Sequence, residues 1–344
     1  MPARSVDLRS TLYPFTDGTL EETVASGFAD FDFGTRLASA ETVFIKPNLV
    51  TDVPQYIRNG ANTDVRIIEA VIAVLSDYDV EIVLGESDTG TETKGRTVER
   101  ALEQLEISDL QSSYEFRIVN LTADDRRSVP IPDGTHLSEI ELAETFLESD
   151  LILNLPTVKT HKYGTITCAL KNMFGVVPDP LRIVYHEDIH RVLRDLNTLF
   201  HDRMFTVIDG IRGMEGNGPL YGTPVDLECL AFAAHPIAAD LTACRLMQVD
   251  PASVRHLALF CAYAGVTEPR PDVGGPLDVD AVSRPFTPAN KNTFVTIEGK
   301  LMQHRPIVRF FFNDWVRTHL TYHLNPLLSR LRGGSYRWHL DEEE

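Results

Sequence analysis

The chain has 344 residues, of which 43% are hydrophobic and 24% are charged. This composition is typical of a globular protein with one large or two fused domains, and it excludes a disordered, collagen-like or coiled-coil chain. Fifty acidic residues against 32 basic ones give a formal net charge of −18. Such a charge excludes the basic surface that a general nucleic-acid-binding protein needs.

The basic residues are unevenly divided, because 25 are arginine and only 7 are lysine. A strongly acidic, lysine-poor surface is typical of proteins adapted to molar salt, which screens the repulsion between like charges. We therefore predict a halophilic source, with an acidic protein of ordinary salt as the alternative. The longest apolar run, residues 257–266, is too short to cross a bilayer, and no secretory signal is recognisable, so we expect a cytoplasmic protein.

Short apolar runs alternate with helical patterns through the first half of the chain. We predict strands at residues 42–46, 80–84 and 116–121. Apolar residues spaced three or four apart predict helices at residues 64–76 and 97–105. Residues 128–135 hold two prolines and a glycine, which indicates a hairpin or a loop.

The second half repeats this alternation. The same patterns predict strands at residues 151–155, 205–208 and 227–234, and helices at residues 165–174, 188–200 and 237–247. A glycine-rich loop is predicted at residues 210–219. Strands that alternate with helices predict an α/β fold, with a mainly parallel sheet and helices on both faces.

We divide the chain into three regions. Residues 1–265 form an α/β domain, either one unit or two fused lobes of about residues 1–150 and 151–265, and residues 266–299 form a Pro- and Gly-rich linker or excursion. Residues 300–344 form a basic, aromatic and helical C-terminal segment with an acidic tail. We expect this segment to pack on the acidic body of the protein. Its contact with a membrane surface or a partner protein, through residues 300–339, is the alternative.

Unusual polar residues follow the carboxyl ends of the predicted strands, where open α/β sheets bind ligands. The candidate residues for binding a small anion are Lys46, Asn48, Asn154, Lys162, Asn172, Gly216 and Gly218. The candidate catalytic residues are Lys159, Lys171, His161 and His186, because buried lysines and histidines can transfer protons near neutral pH. Capping a strand or pairing with a carboxylate is the structural alternative for the lysines.

Two carboxylates and one short sequence pattern are considered as candidate metal-binding sites. Asp209 and Glu215 are candidate ligands of a divalent cation such as Mg²⁺, and the alternative is a turn or helix-cap role. Residues 186–190 match H-E-x-x-H, but Asp188 is predicted to be the N-cap of the next helix, which removes the geometry that zinc needs. Four widely spaced cysteines are predicted to be buried hydrophobic residues, so we expect no iron–sulfur cluster from Cys168, Cys229, Cys244 and Cys261.

Several segments together resemble the uncharacterised domain-of-unknown-function 362 family. They are VFIKPNLV (43–50), NLPTVKTHKYGTITCALKNMFGVVP (154–178) with the following His186, and VIDGIRGMEGNGPLYGTP (207–224). The family pattern is carried here by Lys46, Asn48, Lys159, His161, Lys171, Asn172, Asp209, Glu215 and Gly218. The resemblance also implies that longer members of the family carry an additional ferredoxin-like domain, whose cysteine clusters bind iron–sulfur centres. The four scattered cysteines of this chain cannot form such clusters, so we do not expect the iron–sulfur label of the family to apply here.

These observations predict an enzyme that acts on a small carboxylate or phosphate metabolite by proton or group transfer. Its cleft would be lined by lysine, asparagine, histidine and aspartate side chains at the strand ends. The resemblance suggests a first alternative, a redox accessory protein that works with an iron–sulfur partner. A second alternative is a ligand-binding protein without catalytic activity.

Overall fold

The computed structural model describes residues 6–88, 97–179 and 181–290, and beyond them residues 300, 301, 304, 306, 307 and 310. The strands in this part of the chain are β1 (Arg9–Pro14), β2 (Thr42–Pro47), β3 (Glu81–Glu86), β4 (Arg117–Asn120), β5 (Arg126–Pro130), β6 (Glu139–Ala143), β7 (Leu151–Leu155), β8 (Thr157–His161), β9 (Thr165–Thr167), β10 (Met204–Asn217), β11 (Tyr221–Ala233) and β12 (Asp272–Gly274).

Eleven α-helices are found within the same ranges. They are α1 (Leu20–Ala29), α2 (Phe33–Leu37), α3 (Pro54–Arg58), α4 (Val65–Leu75), α5 (Thr97–Gln104), α6 (Glu144–Glu148), α7 (Ala169–Asn172), α8 (Ile189–Asn197), α9 (Pro236–Leu246), α10 (Arg255–Tyr263) and α11 (Val279–Val282). The predicted N-cap is confirmed, because Asp188 accepts the Arg191 N–H at the start of α8. A second N-cap, not predicted, is formed by Asp64, which accepts the Arg66 N–H at the start of α4.

One sheet contains most of the strands, in the order β12-β1-β11-β10-β7-β2-β3-β4, and β8 joins it beside β10. Strands β10, β7, β2, β3 and β4 run parallel, whereas β11 is antiparallel to both β10 and β1. Strands β5 and β6 form a separate antiparallel hairpin at the predicted hairpin or loop. The α/β prediction, with a mainly parallel sheet, is confirmed.

Helices cover both faces of the parallel sheet. Successive side chains of a strand point to opposite faces, so a strand of apolar residues needs a hydrophobic cluster on each side. Val43 and Ile45 of β2 point into one hydrophobic cluster, which includes residues of α1 and α4. Phe44 points into the opposite cluster, which includes Phe146 of α6 and residues of α8. All three β2 side chains are fully buried, so this strand lies in the centre of the fold.

The helix predicted for residues 165–174 is wrong in its first half. Residues 165–167 form β9, which pairs antiparallel with β8, and helix α7 begins only at Ala169. Thr165, Ile166 and Thr167 are β-branched, which favours extended backbone, and Thr165 has a φ of +69° that a helix does not accept. Pairing with β8 therefore decides the structure of this segment.

The glycine-rich loop predicted at residues 210–219 is largely strand. Strand β10 continues to Asn217 and pairs with β11 along nearly its whole length. A Cβ atom on Gly210 would lie 2.8 Å from the Cys229 carbonyl oxygen, and one on Gly213 would lie 2.8 Å from the Val158 carbonyl oxygen. These glycines permit close approach of neighbouring strands, which the sequence pattern does not distinguish from a turn.

Strands from both halves of the α/β region share the one sheet, and the division into two lobes stays a prediction. The region predicted as a linker carries β12, which pairs with β1, and α11. Most of the predicted C-terminal segment lies outside the described residues, and of those described there, residues 300, 301, 306, 307 and 310 are helical. In the described part of the chain, no helix is both long enough and apolar enough to cross a membrane.

Candidate functional site

Neighbouring parallel strands bring polar residues together at their carboxyl ends. Strands β2 and β7 pair in a register that places Lys46 opposite Asn154. Strand β3, on the other side of β2, ends at Glu86. The geometry agrees with the expectation that ligand-binding residues of an open α/β sheet gather at this edge.

Lys46 and Glu86 form a buried ion pair between the ends of β2 and β3. The Lys46 Nζ donates hydrogen bonds to Glu86 Oε2 and to the Pro47 carbonyl oxygen, 2.6 Å away. Burial lowers the pKa of Lys46, and the Glu86 charge opposes that change. Gly175 lies directly against the pair, because a Cβ atom there would overlap Glu86 Oε1 and lie 2.8 Å from Lys46 Nζ. The charge of Lys46 is therefore neutralised within the protein.

The predicted asparagines hold main-chain groups around the strand ends. Asn172 Nδ2 donates to Asn154 Oδ1 at 2.8 Å, and it also lies 3.3 Å from the carbonyl oxygens of Lys46 and Pro47. Asn48 Nδ2 donates to the Ala61 carbonyl oxygen at 2.7 Å. These bonds join β2, β7 and α7 into one rigid edge, and a ligand role for the three amides stays a prediction.

Lys159 is fully buried in β8 and has no carboxylate within ion-pair distance among the described residues. Its Nζ donates to the Ala61 carbonyl oxygen at 2.6 Å, the same oxygen that Asn48 binds. Burial, followed by the charge of Lys171, lowers the pKa of Lys159 to about 7 despite the opposing charge of Asp209. An amine with this pKa is able to exchange a proton at neutral pH.

The structure does not bring Asp209 and Glu215 to one point. Asp209 is buried and accepts the backbone N–H groups of Asp64 and Ile211, and burial followed by the Asp64 charge raises the pKa of Asp209 to about 7. Glu215 lies six residues after Asp209 on β10, which corresponds to on the order of 15–20 Å of extended chain. Its carboxylate accepts the N–H of Thr287. Among the described residues, no three His, Cys, Asp or Glu side chains could hold a metal ion together. Asp209 and Glu215 are thus too far apart to share one Mg²⁺ ion, and a metal-binding role for either carboxylate stays a prediction.

His161 and His186 face each other with opposite tautomers. His161 Nδ1 accepts the N–H groups of Tyr163 and Gly164, both at 3.0 Å, so we assign the proton of the neutral ring to Nε2. His186 Nδ1 lies 3.1 Å from the Ile183 carbonyl oxygen and must donate to it, which leaves the His186 Nε2 lone pair available. The two rings are nearly parallel, with centroids 6.3 Å apart.

Both histidines are held in the neutral form. Burial, followed by the charge of Lys171, lowers the pKa of His161 well below its ordinary value. The same two causes lower the pKa of His186 to about 3. The pair thus presents one ring N–H donor and one ring acceptor, without a net charge, at neutral pH.

Lys171 lies beside the histidines on the short helix α7. Its Nζ makes no hydrogen bond or ion pair with any residue that the structure describes, and it lies 5.8 Å from the centroid of the Phe174 ring. Burial and the charge of Arg182 lower the pKa of Lys171 to about 8. Lys162, which lies 5.0 Å from the centroid of the Tyr163 ring, adds a further positive charge to the same region.

The predicted role of Gly216 and Gly218 in binding an anion is not supported. The Gly216 N–H donates to the Thr287 carbonyl oxygen at 2.8 Å, and the Gly218 N–H donates to the Gly216 carbonyl oxygen at 2.9 Å. Both N–H groups are thus used by the protein itself. Gly216 has a φ of +78°, so its conformational freedom explains the residue without a ligand.

With this geometry established, the chain can be compared with known proteins. The model of a family described as "Domain of unknown function (DUF362)" matches residues 43–245, which is more than half of the chain. This chain belongs to the DUF362 family. The matched range contains every predicted site residue, from Lys46 to Gly218, so the family and the candidate site coincide along the chain.

This DUF362 protein is similar in sequence to a cyanobacterial protein. A thylakoid-associated protein from Synechocystis sp. is 24% identical over 233 residues, which cover 65% of this chain and 68% of the relative. Among solved structures, a protein from Thermotoga maritima aligns with a TM-score of 0.39 and 12% identity, and covers 74% of this chain and 60% of that one. The lactate racemase apoprotein from Thermoanaerobacterium thermosaccharolyticum aligns with a TM-score of 0.33 and 14% identity.

These structural likenesses are partial. The alignment with the racemase covers 62% of this chain and 50% of that one, so the DUF362 chain spans only part of either solved structure. TM-scores of this size do not inform on the chemistry of the site. The chemistry must therefore be argued from the residues of this chain.

One important residue of this DUF362 site was missed by the sequence analysis. The guanidinium of Arg182 is buried and donates to the carbonyl oxygens of Asp88 at 2.8 Å, Val177 at 3.1 Å and Ser87 at 3.2 Å. Its charge lowers the pKa of both Lys171 and His186. The available signal was the position of Arg182 only four residues before His186, in a segment with otherwise apolar neighbours.

The cysteines of the chain lie in hydrophobic surroundings. All four are buried and free, and all four belong to the hydrophobic cluster that includes residues of β11, α9 and α10. Burial raises the pKa of each thiol, Cys261 to about 11. Such thiols are unreactive, and their placement agrees with the predicted role as small hydrophobic residues.

Proposed function

We propose that this DUF362 protein is an enzyme that binds a small carboxylate or phosphate beside Lys171 and transfers a proton through His161 and His186. The observation that supports it is the charge around the two rings. Lys171 has no carboxylate partner among the described residues, and the neighbouring Arg182 donates only to carbonyl oxygens. A lysine without an ion-pair partner among the described residues, beside a second buried cation, favours an anionic ligand in a chain of net charge −18.

The tautomers suggest separate roles for the two histidines. His186, with its Nε2 lone pair available, would accept a proton from the bound substrate. His161 would donate an Nε2–H hydrogen bond to the substrate oxygen that gains negative charge, as a neutral imidazole can. Lys159, whose pKa is about 7, is a further proton-exchanging group on β8.

The substrate would also activate its own base. The positive charges of Lys171, Lys162 and Arg182 lower the pKa of His186, in addition to burial. A bound anion would offset these charges, so the pKa of His186 should rise when the site is filled. An NMR pH titration of His186 with and without saturating malonate measures this change directly, and an unchanged titration in the saturated protein would contradict the mechanism.

Binding is tested by thermal unfolding with a panel of carboxylates, phosphates, nucleotides and divalent cations. The assays should use molar KCl, because we propose from the net charge of −18 that the protein is adapted to high salt. A ligand at a hundred times its Kd should stabilise the protein by about 2.7 kcal/mol, or about 4 °C in a chain of this length. Lys171→Met should abolish the shift, and the exposed Lys300→Met should not.

Catalysis needs a separate measurement. Incorporation of solvent deuterium into the ligand found by the panel, followed by proton NMR, reports proton transfer. His186→Gln should retain binding and slow this exchange by about 10²–10⁴-fold, the usual contribution of a general base. A ligand that binds without any exchange in the wild-type protein would support a ligand-binding protein instead. If no compound of the panel changes the unfolding temperature, the partner-dependent redox accessory role would be favoured.

A further inference from the structure

Helix α7, which carries Lys171, is unusual in depending on side chains from distant helices. It has four residues, so it cannot satisfy most of its own backbone groups. The Leu170 N–H donates to Asp240 Oδ1 at 3.4 Å, and the Leu170 carbonyl oxygen accepts from Asn197 Nδ2 at 2.9 Å. Asp240 lies on α9 and Asn197 on α8, so two separate helices hold the residue that precedes Lys171.

The burial of both polar side chains reduces the free energy of unfolding. Asp240 and Asn197 are fully buried, and Asp240 is surrounded by the apolar residues of the cluster that contains Leu241 and Cys244. Asp240 Oδ2 and Asn197 Oδ1 have no hydrogen-bond partner among the described residues, and the Nε2 atom of His256 lies 3.7 Å from Asp240 Oδ2. Burying a carboxylate and an amide with incomplete hydrogen bonding destabilises a fold, so the bonds to Leu170 require an explanation.

We infer that Asp240 and Asn197 are positioning residues, which fix the place of Lys171 by holding the main chain of Leu170 from two sides. This inference rests on the proposed function, in which Lys171 contacts the anion. The two ends of α7 are held by other bonds. Asn154 Nδ2 donates to the carbonyl oxygen of Ala169, the first residue, and the side chain of Asn172, the last residue, donates to carbonyl oxygens at the end of β2. The ammonium of Lys171 itself is left without a hydrogen-bond partner among the described residues, so its place depends on α7.

The experiment measures Lys171 without any ligand. Lysines of the full chain are reductively methylated with ¹³C-formaldehyde, and the Lys171 resonance is identified by its loss in Lys171→Met. Asn197→Leu removes both bonds of the amide, to Leu170 and Leu193, and should move the titration of Lys171 from about 8 towards the ordinary value of a lysine. Asp240→Leu should act in the same direction, whereas Asp240→Asn, which keeps an oxygen acceptor, should titrate like the wild type.

Thr242→Val is the matched control for general destabilisation. Thr242 is fully buried on the same helix as Asp240, and its hydroxyl bonds Ser10 and the Ala238 carbonyl oxygen rather than α7. This variant should unfold at a lower temperature and leave the Lys171 titration unchanged. If Asn197→Leu does not fold, Asn197→Ala removes the same bonds without added bulk.

Two results overturn the inference. One is an unchanged Lys171 titration in folded Asn197→Leu or Asn197→Ala, and the other is an equal shift in Thr242→Val. Binding of malonate, measured calorimetrically, should weaken about tenfold or more in the Asn197 variants, because small displacements of a binding group are costly. Failure of the wild-type protein to bind malonate or any other anion would refute the proposed function, whereas the Lys171 titration decides the positioning role in either case.

Discussion

The buried ion pair of Lys46 and Glu86 allows a quantitative test of the candidate site. Glu86→Gln keeps the shape of the side chain but removes its charge, so the fully buried ammonium of Lys46 loses its counter-ion and keeps only neutral oxygen acceptors. Removing one member of a buried pair typically costs about 3–5 kcal/mol, because the remaining charge is desolvated. With an unfolding entropy of about 0.7 kcal/mol/K for 344 residues, Tm should fall by about 4–7 °C.

The same strand provides the control. Glu81, at the start of β3, pairs with Arg117 at 3.0 Å, and both side chains are about half exposed. Glu81→Gln should cost less than about 1 kcal/mol, and molar KCl should reduce even that cost. The double variant Lys46→Met with Glu86→Met should recover most of the stability lost by Glu86→Gln, since apolar residues often replace a buried pair at little cost. Equal losses from Glu81→Gln and Glu86→Gln would refute the reasoning.

Three further results are expected. Gly175→Ala should cost about 2–4 kcal/mol in urea unfolding, because its methyl group would overlap Glu86, and a fully stable variant would show that the packing is different. The pKa of Lys159 is lowered from 10.5 to about 7, so the folded state binds fewer protons than the unfolded state and stability should rise between pH 7 and pH 10.5. Lys159→Met should flatten that rise by up to about 4 kcal/mol, as measured by urea unfolding at pH 7 and pH 10. A small thiol reagent should leave the native protein unmodified and react with all four cysteines in denaturant, and rapid native modification would contradict their burial.

The sequence was sufficient to predict the parallel strands in the centre of the sheet and the polar residues at their carboxyl ends. Apolar runs located β2, β3 and β7, and the polar residues that follow them lie at one edge of the structure, with Lys46 opposite Asn154. Such positions are predictable because a parallel strand buried on both faces is a nearly continuous apolar run, and its end is marked by the first polar residue.

The roles of individual residues were less predictable, because they depend on partners far away in the chain. Lys159 donates to a carbonyl oxygen 98 residues away, and Arg182 donates to carbonyl oxygens that no sequence pattern marks. Glycine was the other source of error. Gly210 and Gly213 permit close packing of strands, and a run of glycines in sequence looks the same whether it forms a turn or a strand.

The position of β1 has a consequence for the order in which the protein forms. Strand β1 pairs with β11 and β12, and about 220 residues separate the end of β1 from the end of β11, so a ribosome working at about 5–20 residues per second needs roughly 10–45 s to supply the partner. Strands β2, β3 and β4 pair with near neighbours in the chain and can assemble earlier. During that interval Leu12, which is fully buried in the finished protein, has no strand to cover it. Strand β1 is thus completed long after its own synthesis, and the nascent chain must keep it from pairing elsewhere until residue 233 has left the ribosome.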